Sequence, residues 1–152
     1  MTTTRITVRI NAPRDRVYRA FLDAADVATW MVPTGMTSTM HSFEPHEGGR
    51  FRVTLSYDTQ TGTGKTTASS DTYHGRFVKL VPPELIVEVI EFETADPAMQ
   101  GEMTMTITLA DVEGATELVA VHDRLPPGLS PTDNELGWRI SLGKLAALVE
   151  AG

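Results

Sequence analysis

The chain has 152 residues, 13 Lys and Arg against 20 Asp and Glu, a formal charge of −7 and no cysteine. Its length fits one domain, residues 1–152, with a core large enough to need no cross-links, and the missing thiols exclude disulfides, thiolate metal sites, iron–sulfur clusters and cysteine nucleophiles. The negative charge disfavours nucleic acid and an anionic membrane surface as partners.

The opening residues Met1–Ile10 lack the apolar core and small-residue cleavage site of a signal peptide. No apolar run is long enough to span a bilayer, so the expected location is cytoplasmic. Over residues 3–10, Ile6, Val8 and Ile10 alternate with Arg5, Thr7 and Arg9, which predicts a half-buried first strand. Asn11 stands where a helix N-cap belongs and Pro13 suits a first turn. Val17, Ala20 and Phe21 then give a short amphipathic helix. Asp23 predicts the cap of a second short helix running through Trp30, ended by Pro33 and Gly35.

From Thr37 to His122 the pattern is strand throughout. Gly48-Gly49 separates Thr37–Pro45 from Arg50–Tyr57, a hairpin in which Phe51, Val53, Leu55 and Tyr57 share one face. Thr59–Ser70 has no large apolar residue and reads as a long flexible hairpin loop. Strands follow at Asp71–Val81, Glu84–Thr94, Met103–Leu109 and Thr116–His122, with turns at Pro82-Pro83, Ala95–Gly101 and Asp111–Ala115. The cleanest alternation sets Met103, Met105, Ile107 and Leu109 against Thr104, Thr106 and Thr108. After Pro126–Pro131 a last helix runs from Thr132 to about Val149, with Trp138, Leu142, Leu145 and Val149 on one stripe. Gly137 and Gly143 inside it each cost about 1 kcal/mol against Ala, which points to close approach by another element or to weak local rigidity.

Six successive strands joined by turns imply an antiparallel meander, and with the first strand added a seven-stranded sheet curls. The last helix is the long amphipathic element available to cover the concave face. The fold class is α+β, with two short helices after the first strand and a space between sheet and final helix where a ligand would sit.

Five blocks of residues, in order along the chain, carry a family resemblance. They are Asn11–Asp23 with Trp30; Gly48-Gly49-Arg50-Phe51-Arg52; Gly75-Arg76-Phe77 with Pro82–Val87; Gly114–Leu118; and Gly137-Trp138 with Leu142 and Leu145. Together they resemble the START-like (SRPBCC) helix-grip proteins, in the branch of the heat shock protein 90 ATPase activator homologue. The resemblance implies a deep cavity between sheet and C-terminal helix. It implies little about activity, because the superfamily includes lipid carriers, polyketide cyclases, receptors and chaperone co-factors.

Other signals are weaker. Thr61–Thr66 ends like a Walker A motif, but Thr59 stands where its first glycine belongs and a strand follows instead of a helix. His41, His46 and His74 read as surface histidines without metal-ligand spacing, and neither metal nor cofactor is implied. Glu91 and Glu93 mark a wet face of their strand. No pair of carboxylates in an apolar surround is legible, which argues against acid–base catalysis of the glycosidase or aspartic type.

His122 shares a face with Leu118 and Ala120. It reads either as a histidine satisfied by a backbone carbonyl or as a polar anchor or general base in the cavity. The expected lining is Phe51, Val53, Leu55, Met103, Met105, Ile107, Trp138 and Leu142. Tyr57 and Tyr73 flank the loop and read either as strand-surface aromatics or as hydroxyls that orient a ligand, while Trp30, Met31 and Met36 at the rim, like Trp138, read either as ordinary core packing or as ligand contacts. Methionine fills irregular space and tolerates varied ligands. The leading expectation is a binding module for a small, mostly apolar ligand: a lipid, a polyketide or an aromatic metabolite. Alternatives are a cyclase- or hydratase-type enzyme using His122 and a co-chaperone-like domain that docks on a heat-shock protein. Free sheet edges leave homodimer formation open.

Overall fold

The computed structural model describes residues 2–32, 35–57 and 70–151, without the side chains of Thr2 and Tyr57. The polar stretch read as a hairpin loop therefore lies, apart from Ser70, outside the described residues. The elements are β1 (Thr2–Ile10), α1 (Arg14–Ala20), α2 (Ala24–Trp30), β2 (Met36–Phe43), β3 (Arg50–Tyr57), β4 (Ser70–Val81), β5 (Leu85–Phe92), β6 (Met103–Val112), β7 (Ala115–Leu125) and α3 (Pro131–Glu150). A single 3-10 turn, Pro97–Met99, precedes β6.

The strands form one antiparallel sheet in the order β1-β7-β6-β5-β4-β3-β2. β2 to β7 follow one another as a meander, and β1 closes onto β7 with Ile6 opposite Ala120. Alternation sets the faces as expected. Met103, Met105, Ile107 and Leu109 of β6 are buried and Thr108 is exposed. The register of β4 on β5 slips between Phe77 and Lys79, so Val78 turns outward, 47% exposed.

Crowding dictates glycine at Gly49 and at Gly75. A Cβ at Gly49 would stand 2.0 Å from the Glu44 carbonyl oxygen. One at Gly75 would stand 2.1 Å from the Val89 carbonyl oxygen and 2.6 Å from the Phe51 ring. Of the two readings of Gly137 and Gly143, close approach by another element is excluded: a Cβ at either meets nothing within 4 Å.

Asp23 caps α2 by accepting from the Asp26 amide. Asn11 does not cap α1. That helix begins at Arg14, behind Pro13, which offers no side-chain acceptor, and the Asn11 backbone N–H donates to Glu150 Oε2 at 2.8 Å. At the other end of α3, the Asn134 amide donates to Thr4 Oγ1 at 3.2 Å. The two ties make α3 run alongside β1 in the same direction.

Leu142, Leu145 and Val149 bury the C-terminal half of α3 against that side of the sheet and against α1 and α2. Over β4–β6 the N-terminal half of α3 stands off, and that gap is the site. Among the described residues no helix is long and apolar enough to cross a membrane.

Candidate functional site

The gap holds a cavity of about 190 Å³. Its sheet wall is Leu55, Asp71, Tyr73, Ile90, Phe92, Met103 and His122, one inward residue after another from β3 to β7. Its helix wall is Asn134, Gly137, Trp138 and Ser141, spaced i, i+3, i+4, i+7, with Asp133 at the edge. Met31, just after α2, and Leu129, just before α3, complete it.

Of the expected lining, the structure brings Leu55, Tyr73, Met103, His122 and Trp138 onto this wall, with Met31 beside them. Trp30, Met105, Ile107 and Leu142 do not reach it. All four are core residues, no more than 1% exposed. Trp30 is held there by its indole N–H, which donates to the Ala20 carbonyl at 2.9 Å, and by Phe21 edge-on at 4.8 Å. Phe51 and Val53 lie deeper, around a second void of about 10 Å³. Met36 is half-buried and lines neither void. The Tyr57 side chain lies outside the described residues.

His122 is 5% exposed, and its partner is not a backbone carbonyl. The Asn134 amide nitrogen lies 3.1 Å from Nδ1 and also donates to Thr4. With Nδ1 accepting, the ring proton sits on Nε2. Nε2 is buried and has no hydrogen-bond partner among the described residues. Burial pulls the imidazole down to about 4, against a small opposing pull from Asp123, so the ring is neutral at pH 7. Trp138 stands edge-on to it at 6.1 Å. An imidazole that protonates only near pH 4 is a weak base at neutral pH, whereas a neutral ring with one spare N–H is a good orienting donor.

The sequence predicts that inward carboxylates are scarce and form no pair in an apolar surround; the structure buries two single ones. Asp71 is 2% exposed on the cavity wall, and Glu88 is 4% exposed on the wall of the smaller void. Burial pushes the Glu88 carboxyl up to about 7. Burial, and then the Glu88 charge, raise the Tyr73 phenol above its ordinary value. Glu88 shares the period-2 face of Ile86 and Ile90, a signal present in the sequence. The Asn134–Gly137–Trp138–Ser141 spacing is a second signal, less legible because two of its members are polar.

The outer face is chemically separate. Arg52 holds Glu93 with two nitrogens at 2.8 and 2.9 Å, and His74 bridges Glu93 at 3.1 Å and Glu91 at 3.3 Å. Hydrogen bonds from Arg52, and then from His74, hold Glu93 down to about 2 despite partial desolvation. These pairs are half-exposed, and their contribution to stability is small. Among the described residues no three His, Asp or Glu converge to hold a metal ion.

A curved antiparallel sheet with a C-terminal helix laid over an interior cavity defines a helix-grip α+β protein. The chain belongs to the family described as activator of Hsp90 ATPase homolog 1-like protein, which matches residues 11–150. A Chromobacterium violaceum protein of known crystal structure is 33% identical, with a TM-score of 0.89 over 97% of this chain and 96% of that one. The AHSA1 protein of Silicibacter pomeroyi is 18% identical, with a TM-score of 0.79 over 99% of each chain. A protein from Arthrobacter aurescens, 16% identical, reaches 0.81 over 99% of this chain and 87% of that one. The last two share the fold. Among curated proteins none matches.

Proposed function

We propose that the chain binds a small, mostly apolar ligand in the cavity between sheet and α3. The observation that carries this is an interior space of about 190 Å³ walled mainly by hydrocarbon and aromatic side chains, with polar groups confined to a few positions. Specific small-molecule sites have that composition. Size narrows the class. A dry protein cavity of roughly 150 Å³ takes up benzene, so this one suits a single aromatic ring or a short aliphatic chain. Extended lipids and fused polyketide rings call for the roughly 300–1,000 Å³ of larger pockets. The His122 Nε2–H is the donor best placed to fix such a ligand through a hydroxyl or carbonyl oxygen.

Thermal shift and native mass spectrometry with benzyl alcohol and p-cresol test the proposal. A ligand at a hundred times its Kd adds about 2.7 kcal/mol of stability, a shift of several degrees for a domain of this size. His122→Leu should weaken oxygen-bearing ligands about 2- to 10-fold, the range of one neutral hydrogen bond, and leave toluene unchanged. No bound mass and no shift with any probe would sink the reading.

The family description carries a second reading, control of a heat-shock chaperone ATPase. A saturating excess of this protein that leaves the Hsp90 ATPase rate unchanged would count against it.

A further inference from the structure

Behind the cavity lies the second void, and the two share three wall residues: Met31, Tyr73 and Ile90. Apart from Tyr73, the one titratable side chain on the inner wall is Glu88. The remainder is hydrocarbon and aromatic, Phe21, Phe43, Phe51 and Val53 among it. The Glu88 carboxyl makes no hydrogen bond to any described residue. A buried carboxyl without a donor is expensive, and stability alone would favour an Ile or Leu there.

The partition between the voids is slight. The Tyr73 hydroxyl donates to Met31 Sδ at 3.6 Å, a weak bond to a side chain with three rotatable torsions. Rotation about those torsions would take Met31 off both walls.

We propose that Glu88 is the floor of an inner subsite, opened by movement of Met31, that takes the ammonium end of a short alkyl amine whose hydrocarbon body fills the main cavity. This rests on the cavity-binding reading above. An ammonium supplies the donors the carboxyl lacks, in a charge-assisted bond made stronger by the dry surroundings. A hydroxyl supplies only a neutral donor, and a carboxylate would bring like charge against Glu88. Because burial raises Glu88 to about 7, the free protein carries about half a proton there at pH 7, and pairing with an ammonium expels it.

Three probes with one chain and three heads separate the possibilities: n-hexylamine, n-hexanol and hexanoate, followed by calorimetry on wild type and Glu88→Gln. The expected order on wild type is hexylamine tighter than hexanol by about tenfold or more, with hexanoate weakest. In Glu88→Gln the amine should fall to the level of the alcohol while hexanol holds its affinity. Hexylamine titrated into wild type at pH 7, in two buffers of different ionisation enthalpy, should release about half a proton. This second reading needs no variant to fold.

Hexanol binding with no advantage for the amine, or an amine advantage that survives Glu88→Gln, or no proton release, overturns the inner subsite and leaves the cavity reading standing. Failure of all three probes overturns the inner subsite, and failure of the single-ring probes as well overturns the cavity reading.

Discussion

Glu88 makes the fold's response to pH a direct measure of its interior. A carboxyl that titrates near 4.5 in the unfolded chain and near 7 when folded holds a proton in the native state that the unfolded state has given up. Stability therefore falls as pH rises from 4.5 to 7 and is level above. At about 1.4 kcal/mol for each pH unit between the two values, the loss is about 3 kcal/mol. Tyr73, the other titratable group on that wall, stays neutral throughout because its own pKa is raised. Glu88→Gln keeps the shape and removes the titration. At pH 4 the variant should match wild type within about 1 kcal/mol, and by pH 8 it should be the more stable by about 3 kcal/mol. Urea unfolding of both proteins at half-unit steps from pH 4 to pH 8 reads the difference, and every other titrating group, His122 included, cancels between them. Parallel profiles, or a variant less stable at pH 8 than at pH 4 relative to wild type, would refute the argument that Glu88 is buried against hydrocarbon.

The His122 ring should stay neutral down to about pH 4. Its NMR titration should show a midpoint there, and one near 6.5 would place the ring in solvent. Unfolded, it protonates near 6.5, so its share of stability is present above that pH and lost as pH falls toward 4. Gly75→Ala forces a methyl to 2.1 Å from the Val89 carbonyl oxygen and should cost about 3 kcal/mol or more in chemical denaturation. Gly143→Ala meets open space and should raise stability by about 1 kcal/mol, seen as a higher Tm. Met103→Ala and Leu145→Ala should each lose about 2–5 kcal/mol. Only the first alters the cavity wall, so only it should change which hydrocarbons bind.

Where period alone decides placement, the sequence is a reliable guide. β6 shows this best, because four apolar residues against three threonines leave one way to face the core. The family blocks also contain physics: Gly49 and Gly75 stand in two of them, and each faces a carbonyl oxygen that excludes any Cβ. Glu88 was legible by the same alternation, two residues from Ile86 and from Ile90. It goes unread when a carboxylate is assigned to water by its type rather than inward by its parity.

The helix wall of the cavity hides for a different reason. Asn134, Gly137 and Ser141 have helical spacing but no hydrophobicity, so an apolar stripe search passes over them and takes Leu142 instead. Leu142 belongs to the half of α3 that packs down, and no periodicity tells where a helix lifts away from a sheet. Asn11 fails as a cap because the helix starts after a proline two residues later, and local capping chemistry yields to that covalent constraint.

The pairing of β1 with β7 sets an order of assembly. Strands β2 to β7 are neighbours in sequence and in space, so each pairs with a strand local to it in the chain. β1 waits for a partner more than a hundred residues downstream, and α3, which lies along β1, comes later still. Closing so long a loop is slow. As the chain leaves a ribosome from its N-terminus, its first strand is the last of the strands to find its partner. Until α3 emerges, the part of the inward face that forms the cavity wall, Met103 included, lacks its helix cover. For that interval the apolar inward face of the sheet is the surface most in need of shielding from other chains.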